Sequence, residues 1–417
     1  MNTSFVIFII ACGLPCTFAT LCTKNNVCNN LLDYLIIQQS PNCWYNSDVA
    51  VSPELLIRGY GYICESYSVT TEDGYIVTLF RIPHNGIDIN RKRVPVLLQH
   101  GLGGDSSAWL DLGVESFVFT LINNGYDVWI SNSRGTKYSS KHIKYTVYDR
   151  QYWDFSFHEI GIYEIPAIID FIALKTEQRG QIIYIGHSMG TTLSYVYASL
   201  RPEHAAINVK SIISLAPLAY MEHAGFFILR ALLPFRDVFK SVLESIGLYG
   251  IGPNTQAELD LLHNFCSNSP SILACSVFHF IFTGISQEEE LVETFPVAFS
   301  NYPSGISLKT VIHYAQLMQM THRFQSFDYG VNINSNMCNC SGPIEYPLSN
   351  IKVPVHLFYG KKDALSKEEA IFIFGNNGYD VWISNSRGTK YSAEHLKYTV
   401  YDPQYWNFRM FCHYMTR

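Results

Sequence analysis

Charge is scarce in this chain, and basic charge is scarcer than acidic. Only 15% of its 417 residues are charged, and 29 basic against 35 acidic side chains leave a formal net charge of −6. There is no run of Lys or Arg, so nucleic acid is not an expected partner and no electrostatic hold on a membrane is signalled. No apolar run is long enough for a transmembrane segment. The N-terminal one, Phe5–Leu14, is short and is followed by small residues at Thr17 and Ala19, although no Lys or Arg precedes it. That pattern predicts a secretory signal peptide over residues 1–19, removed after Ala19. Disorder is also excluded, because 48% of the residues are hydrophobic and 14% aromatic, enough for a large core and suited to handling greasy ligands.

An exported chain meets an oxidising compartment, either outside the cell or in the lysosome. Its cysteines are then Cys22, Cys28, Cys43, Cys64, Cys266, Cys275, Cys338, Cys340 and Cys412, an odd number, so at least one thiol has no internal partner. Cys338 and Cys340 flank one residue, but no His-rich partner lies nearby and no metal is expected. Asn339-Cys340-Ser341 is a sequon, which makes Asn339 a candidate glycosylation site.

Alternation of apolar and polar residues around Asp73-Gly74 in "YSVTTEDGYIVTLFRIP" predicts a β-hairpin. "VPVLLQHG", "GYDVWISN", "QIIYIGHS", "VKSIISLAP" and "VPVHLFYG" are apolar runs expected of buried parallel strands. "EIGIYEIPAIIDFIALK" and "TTLSYVYASL" have helical character between them. Strands alternating with helices imply a mostly parallel sheet covered on both faces. From Leu218 to Phe324 the pattern changes to Phe- and Leu-rich stretches, which predicts a helical cap over the strand ends where ligands bind. The expected divisions are a Cys-containing leader over 20–54, core over 55–217, cap over 218–324 and core again over 325–375.

Gly186-His187-Ser188-Met189-Gly190 is a G-x-S-x-G pentapeptide directly after a strand and before a helix. The glycines permit a sharp turn that pushes Ser188 out at a helix N-terminus, as a nucleophile requires. His100-Gly101 ends an earlier strand, and the backbone N–H groups of Leu102 and Met189 are the candidate oxyanion donors. His100 and His187, beside the turn, are read as packing residues. Asp363 follows the "VPVHLFYG" strand by a short loop, where the order Ser, Asp, His places the acid that orients a catalytic imidazole.

These motifs in this order, together with "GYDVWISNSRGTKYS", "FSFHEIGIYEIPAIIDFI" and "FDYG", resemble the acid lipase family of gastric and lysosomal lipases, from about Leu55 to Leu365. The resemblance implies an α/β-hydrolase fold with a lid-bearing cap, no cofactor, and cleavage of neutral lipid esters at a lipid–water interface. It matches Ser188 to the nucleophile, Asp363 to the triad acid, and Leu102 and Met189 to the oxyanion positions. The family usually has Gln where Met189 stands, which leaves the backbone donor intact. Cys266 and Cys275, nine residues apart, resemble the family's cap disulfide.

The chain departs from the family after Leu365. Residues 376–408 repeat Asn123–Phe155 at 28 of 33 positions, differing only at Ala393, Glu394, Leu396, Pro403 and Asn407. The copy stands where the family carries its last strand and a His-x-Asp-Phe loop whose His is the general base. No such sequence occurs in the tail, including 409–417, and the only histidines after Asp363 are His395 and His413. The residues therefore point to a serine ester hydrolase with an impaired base. A lipid carrier without turnover is the rival of a different class, and peptidase or thioesterase chemistry also fits the pentapeptide.

Overall fold

A computed structural model of the chain describes residues 24–83, 92–222, 224, 227–252, 256–267, 270–283, 291–338, 342–359 and 365–366. The expected signal peptide, Asp363, Asn339, the second copy with His395, and His413 in the tail after it lie outside the described residues.

Seven strands form the body of one sheet: β1 (Glu65–Thr70), β2 (Tyr75–Ile82), β3 (Pro95–Gln99), β4 (Asp127–Asn132), β5 (Ile182–His187), β6 (Val209–Leu215) and β7 (Val355–Phe358). Their spatial order is β7-β6-β5-β3-β4-β2-β1, with Lys141–His142 adding a short pairing to β2. The five strands from β7 to β4 run parallel, while the β1–β2 hairpin is antiparallel and pairs antiparallel with β4. Each expected strand is present, and the sheet is mostly parallel.

Register explains why the parallel strands are apolar throughout. Leu97 lies opposite Trp129 and Tyr184, and all three belong to the core on one face. One residue on, Leu98 lies opposite Ile130 and Ile185, which belong to the core on the other face. Side chains alternate across a sheet, so a strand covered on both faces has no water-facing position left for polar residues. Helix α1 (Phe117–Asn123) covers the second face. Helices α2 (Ile165–Thr176) and α3 (Met189–Leu200) cover the first.

The first copy of the repeated segment is built into this core. It supplies β4 and the loop holding Arg134, whose side chain is fully buried. The Nε of Arg134 donates to Glu164 at 3.0 Å, its two Nη groups donate to Asp73 at 2.5 and 3.0 Å, and its guanidinium lies 3.9 Å over the Tyr75 ring. A buried cation with carboxylates on two sides is a site that a second arginine cannot share.

The residues after β6 form helices, among them α4 (Arg236–Ser245), α5 (Gln256–Ser267), α6 (Ser271–Thr283) and α7 (Leu308–Leu317). A disulfide joins Cys266 on α5 to Cys275 on α6, with Cα atoms 5.7 Å apart. The leader closes its own disulfide, Cys28–Cys43, which the sequence left open. Its Tyr34 packs with Cys266, Ile272, Phe295 and Phe299 and donates to the Val292 carbonyl at 3.0 Å. The leader is thus fastened to the helical insertion. Cys64 is a buried free thiol.

Candidate active site

Ser188 sits between the end of β5 and the start of α3 with φ 53° and ψ −116°. Side chains rarely adopt that region, and such strain persists only where the surroundings impose it. The surroundings are tight here. A Cβ on Gly186 would lie 2.6 Å from the carbonyl of Gly190, and one on Gly190 would overlap the carbonyl oxygen of Gln99. The N–H of Ser188 donates to Leu215 at the end of β6, at 2.9 Å. Its carbonyl accepts from the N–H and hydroxyl of Thr191 at 2.9 and 2.6 Å. The Thr191 hydroxyl in turn accepts from the N–H of Leu218, just after β6. Ser188 is half-buried.

The loop after β3 lies against this turn. A Cβ on Gly101 would be 3.1 Å from the Ser188 Cβ. Leu102 therefore sits one residue from the contact, and Met189 is the first residue of α3, where a backbone N–H has no intrahelical acceptor. The structure thus brings three of the sequence-derived site residues together: Ser188, Leu102 and Met189. A fastening from the insertion reaches the same loop. The N–H of Ser304 donates to the Gly103 carbonyl at 2.5 Å, the Tyr302 hydroxyl donates to the Leu102 carbonyl at 3.4 Å, and Ile306 and Tyr302 pack on Gly103. Nothing in the sequence signals this strap, because backbone groups make it and the segments are about two hundred residues apart.

His100 is buried as expected. Its Nδ1 lies 2.8 Å from the Gly101 carbonyl, and its Nε2 accepts from the N–H of Ser133 at 3.0 Å. Burial holds its pKa below the ordinary histidine value, against the pull of the Gly101 carbonyl and of Asp105. Both ring nitrogens are engaged, so His100 is not available to take a proton from Ser188. His187, the last residue of β5, is exposed, and its Nδ1 lies against Gly101, 3.2 Å from where a Cβ there would stand. Near this loop, burial pushes the Asp111 carboxyl up to about 7, with the charge of Asp105 adding to the effect. Among the described residues no cluster of His, Cys, Asp or Glu could hold a metal ion. Nor is any described helix long and apolar enough to cross a membrane.

A turn that strains a serine between a parallel strand and a helix, beside a Gly-rich loop, is the arrangement of an α/β hydrolase. The family model described as alpha/beta hydrolase fold matches residues 94–371, and the partial alpha/beta-hydrolase lipase region matches residues 54–113. The chain is 35% identical to the gastric triacylglycerol lipase of Rattus norvegicus, over 78% of this chain and 82% of that one. It is 32% identical to the human gastric triacylglycerol lipase, over 78% and 81% of the two chains. It is 33% identical to a putative lysosomal acid lipase/cholesteryl ester hydrolase of Crotalus adamanteus, over 78% and 80%. The chain belongs to the gastric and lysosomal acid lipase family, and is by family a serine ester hydrolase.

Proposed function

We propose that the body of this protein is built to cleave carboxylic esters of neutral lipids, triacylglycerols or sterol esters, with Ser188 as nucleophile. The carrying observation is the strained Ser188 between β5 and α3. Its Oγ attacks the acyl carbonyl while its proton leaves to a base. The new oxyanion is met by the N–H groups of Leu102 and Met189. The alcohol then departs with a proton, and water releases the acid from the acyl-enzyme. Asp363 is the acid of the constellation. The described residues on either side of it support this. The Ala216 N–H donates to the Phe358 carbonyl at 2.8 Å, and the Ser366 hydroxyl donates to the Pro217 carbonyl at 3.0 Å. Both flanks of the Asp363 loop thus return to the end of β6, which also holds Ser188.

Helix α4 supports action at a lipid–water interface. Its inward side is mixed: Arg236 donates to Gln319, Glu244 pairs with Arg150, and Leu243 packs with Leu308 and Ile312. Its apolar stripe faces water, with Val238 62% and Ile246 72% exposed alongside Phe235, Phe239 and Val242. Surface helices normally turn the other way round, so the exposed stripe marks a contact surface. The expected signal peptide supports the secretory pathway, outside the cell or in the lysosome.

A fluorophosphonate probe tests the assignment on the chain from residue 20 onward. Labelling should fall on Ser188, slowly in the chain as it stands because no base activates the hydroxyl and faster once the tail is replaced, after Leu365, by a paralogue's segment with His-x-Asp-Phe, and should vanish in Ser188→Ala. Labelling that persists in that variant would remove the nucleophile. The absence of His-x-Asp-Phe favours one second reading, a lipid carrier descended from such an enzyme. It predicts bound lipid ester without turnover.

A further inference from the structure

The candidate oxyanion donor at Leu102 belongs to a peptide plane with two hydrogen bonds on its other side. The Gly101 carbonyl, in the same peptide unit as the Leu102 N–H, accepts from the Gly104 N–H at 3.1 Å and lies 2.8 Å from His100 Nδ1. The far nitrogen of the same ring fixes the proton. Ser133 N–H is a donor only, and it lies 3.0 Å from Nε2. Nε2 must therefore accept, and in the neutral ring the hydrogen sits on Nδ1, aimed at Gly101. A trans peptide points its carbonyl and its N–H in opposite directions. Drawing the Gly101 carbonyl into the loop, toward Gly104 and the ring, sends the Leu102 N–H out of it. The His100 side chain is 1% exposed, so no water competes for either bond.

We propose that His100 is a positioning residue: its Nδ1–H tautomer, set by the backbone of Ser133, holds the Gly101–Leu102 peptide so that the Leu102 N–H is presented to the oxyanion. The inference rests on the reading of Ser188 as nucleophile and Leu102 as donor. It assigns the buried ring a role in transition-state binding and none in proton transfer. Ser133 acts one step further back, through a backbone group that no side-chain substitution removes.

The test uses a long-chain alkyl boronic acid and an ether analogue of a triacylglycerol, with the chain from residue 20 onward. The Ser188 Oγ forms a bond to boron and its proton passes to bulk water. This leaves a tetrahedral anion with one oxygen where the oxyanion would stand, whereas the ether analogue binds without that charge. His100→Leu keeps volume and loses both ring bonds. It should weaken boronate binding by about 100-fold, in line with removal of one oxyanion donor, and change ether binding by less than about threefold. His100→Asn, which keeps a donor near the Nδ1 position, should recover most of the difference. Equal weakening of both ligands would reduce His100 to a packing residue and overturn the proposal. So would boronate binding untouched by His100→Leu. No boron adduct on Ser188, either in the unaltered chain or with the tail replaced after Leu365 by a paralogue's segment with His-x-Asp-Phe, would overturn the nucleophile reading and this inference with it. Should His100→Leu fail to fold, nitrogen-15 NMR of histidine-labelled unaltered protein decides the matter. A neutral ring protonated at Nδ1 supports the proposal, and one protonated at Nε2 refutes it.

Discussion

The Cα of Gly190, in the first turn of α3, lies against the carbonyl oxygen of Gln99, the last residue of β3, with no room for a Cβ between them. The contact wedges the start of the helix against the strand that leads to the oxyanion loop. Gly190→Ala should therefore do two things at once. Backbone has to move at both elements, at about 1–3 kcal/mol of stability, and Ser188 should lose alignment with Leu102. The expected result is a lower melting temperature together with at least a tenfold slower fluorophosphonate reaction. A variant with unchanged labelling would show that the turn tolerates a wider opening.

Asp111 predicts how stability depends on pH. Burial raises its carboxyl to about 7, against about 3.9 for an unfolded aspartate. Below the unfolded value both states are protonated and the group has no effect on the balance. Between about 4 and 7 the unfolded chain ionises while the folded one holds its proton, so stability falls as pH rises through this window. Asp111 keeps part of its surface in water, so the loss by neutral pH is about 1–2 kcal/mol, less than the full shift implies. Asp111→Asn should stabilise the protein near pH 7.5 and leave it unchanged near pH 3.5. Urea unfolding at the two pH values measures this, and equal effects at both would contradict it.

The outward stripe of α4 gives a prediction that separates adsorption from chemistry. Phe239→Asp with Val242→Asp places charge where Phe239 and Val242 now face water, 50% and 54% exposed. Neither side chain packs in the core, so melting should shift little. Binding to a neutral lipid emulsion should drop at least tenfold, while fluorophosphonate labelling in solution stays within about twofold. Emulsion binding at the original level would leave α4 without a role at the interface.

Closing the short loop between Cys266 and Cys275 contributes about 2–3 kcal/mol in the chain-entropy picture. Replacing both by Ala should lower the urea midpoint accordingly. It should also raise protease cleavage within α5 and α6 first, because the bond staples that pair. Cleavage beginning in the sheet would contradict this order.

What was legible in the sequence was local. Gly186-x-Ser188-x-Gly190 is readable because the sharp turn needs small residues at fixed offsets, and β3, β4 and β5 are readable because burial on both faces leaves unbroken apolar runs. What was not legible is made by backbone groups or by pairing across long separations. The Ser304–Gly103 bond uses no side chain, and the Cys28–Cys43 partnership is one of many that nine cysteines allow. The orientation of α4 was hidden for another reason. Its apolar period is that of any amphipathic helix, and only the positions of Gln319, Arg150 and Leu308 show which side faces in.

The last prediction concerns the tail. We propose that the chain with this tail has no competent general base, and the first copy of the repeat shows why His395 is a poor substitute. Its counterpart, His142, is held by local backbone: Nδ1 accepts from the N–H groups of Lys144 and Tyr145 at 2.9 and 3.1 Å, and Nε2 lies 3.0 Å from the Asp73 carbonyl. The second copy keeps the same followers, Lys397 and Tyr398. The larger environment of the first copy is not available twice, since Arg134 already occupies Asp73 and Glu164. By analogy with His142, His395 is expected not to take the proton of Ser188. Ester turnover should therefore lie on the order of 10⁴- to 10⁶-fold below that of a version whose tail is replaced, after Leu365, by a paralogue's segment with His-x-Asp-Phe. In the unaltered chain His395→Ala should change nothing, while lipid ester should still bind. Two results would defeat this: turnover of the unaltered chain comparable to the restored one, or turnover that His395→Ala abolishes. The second would mean that the repeated segment supplies the base.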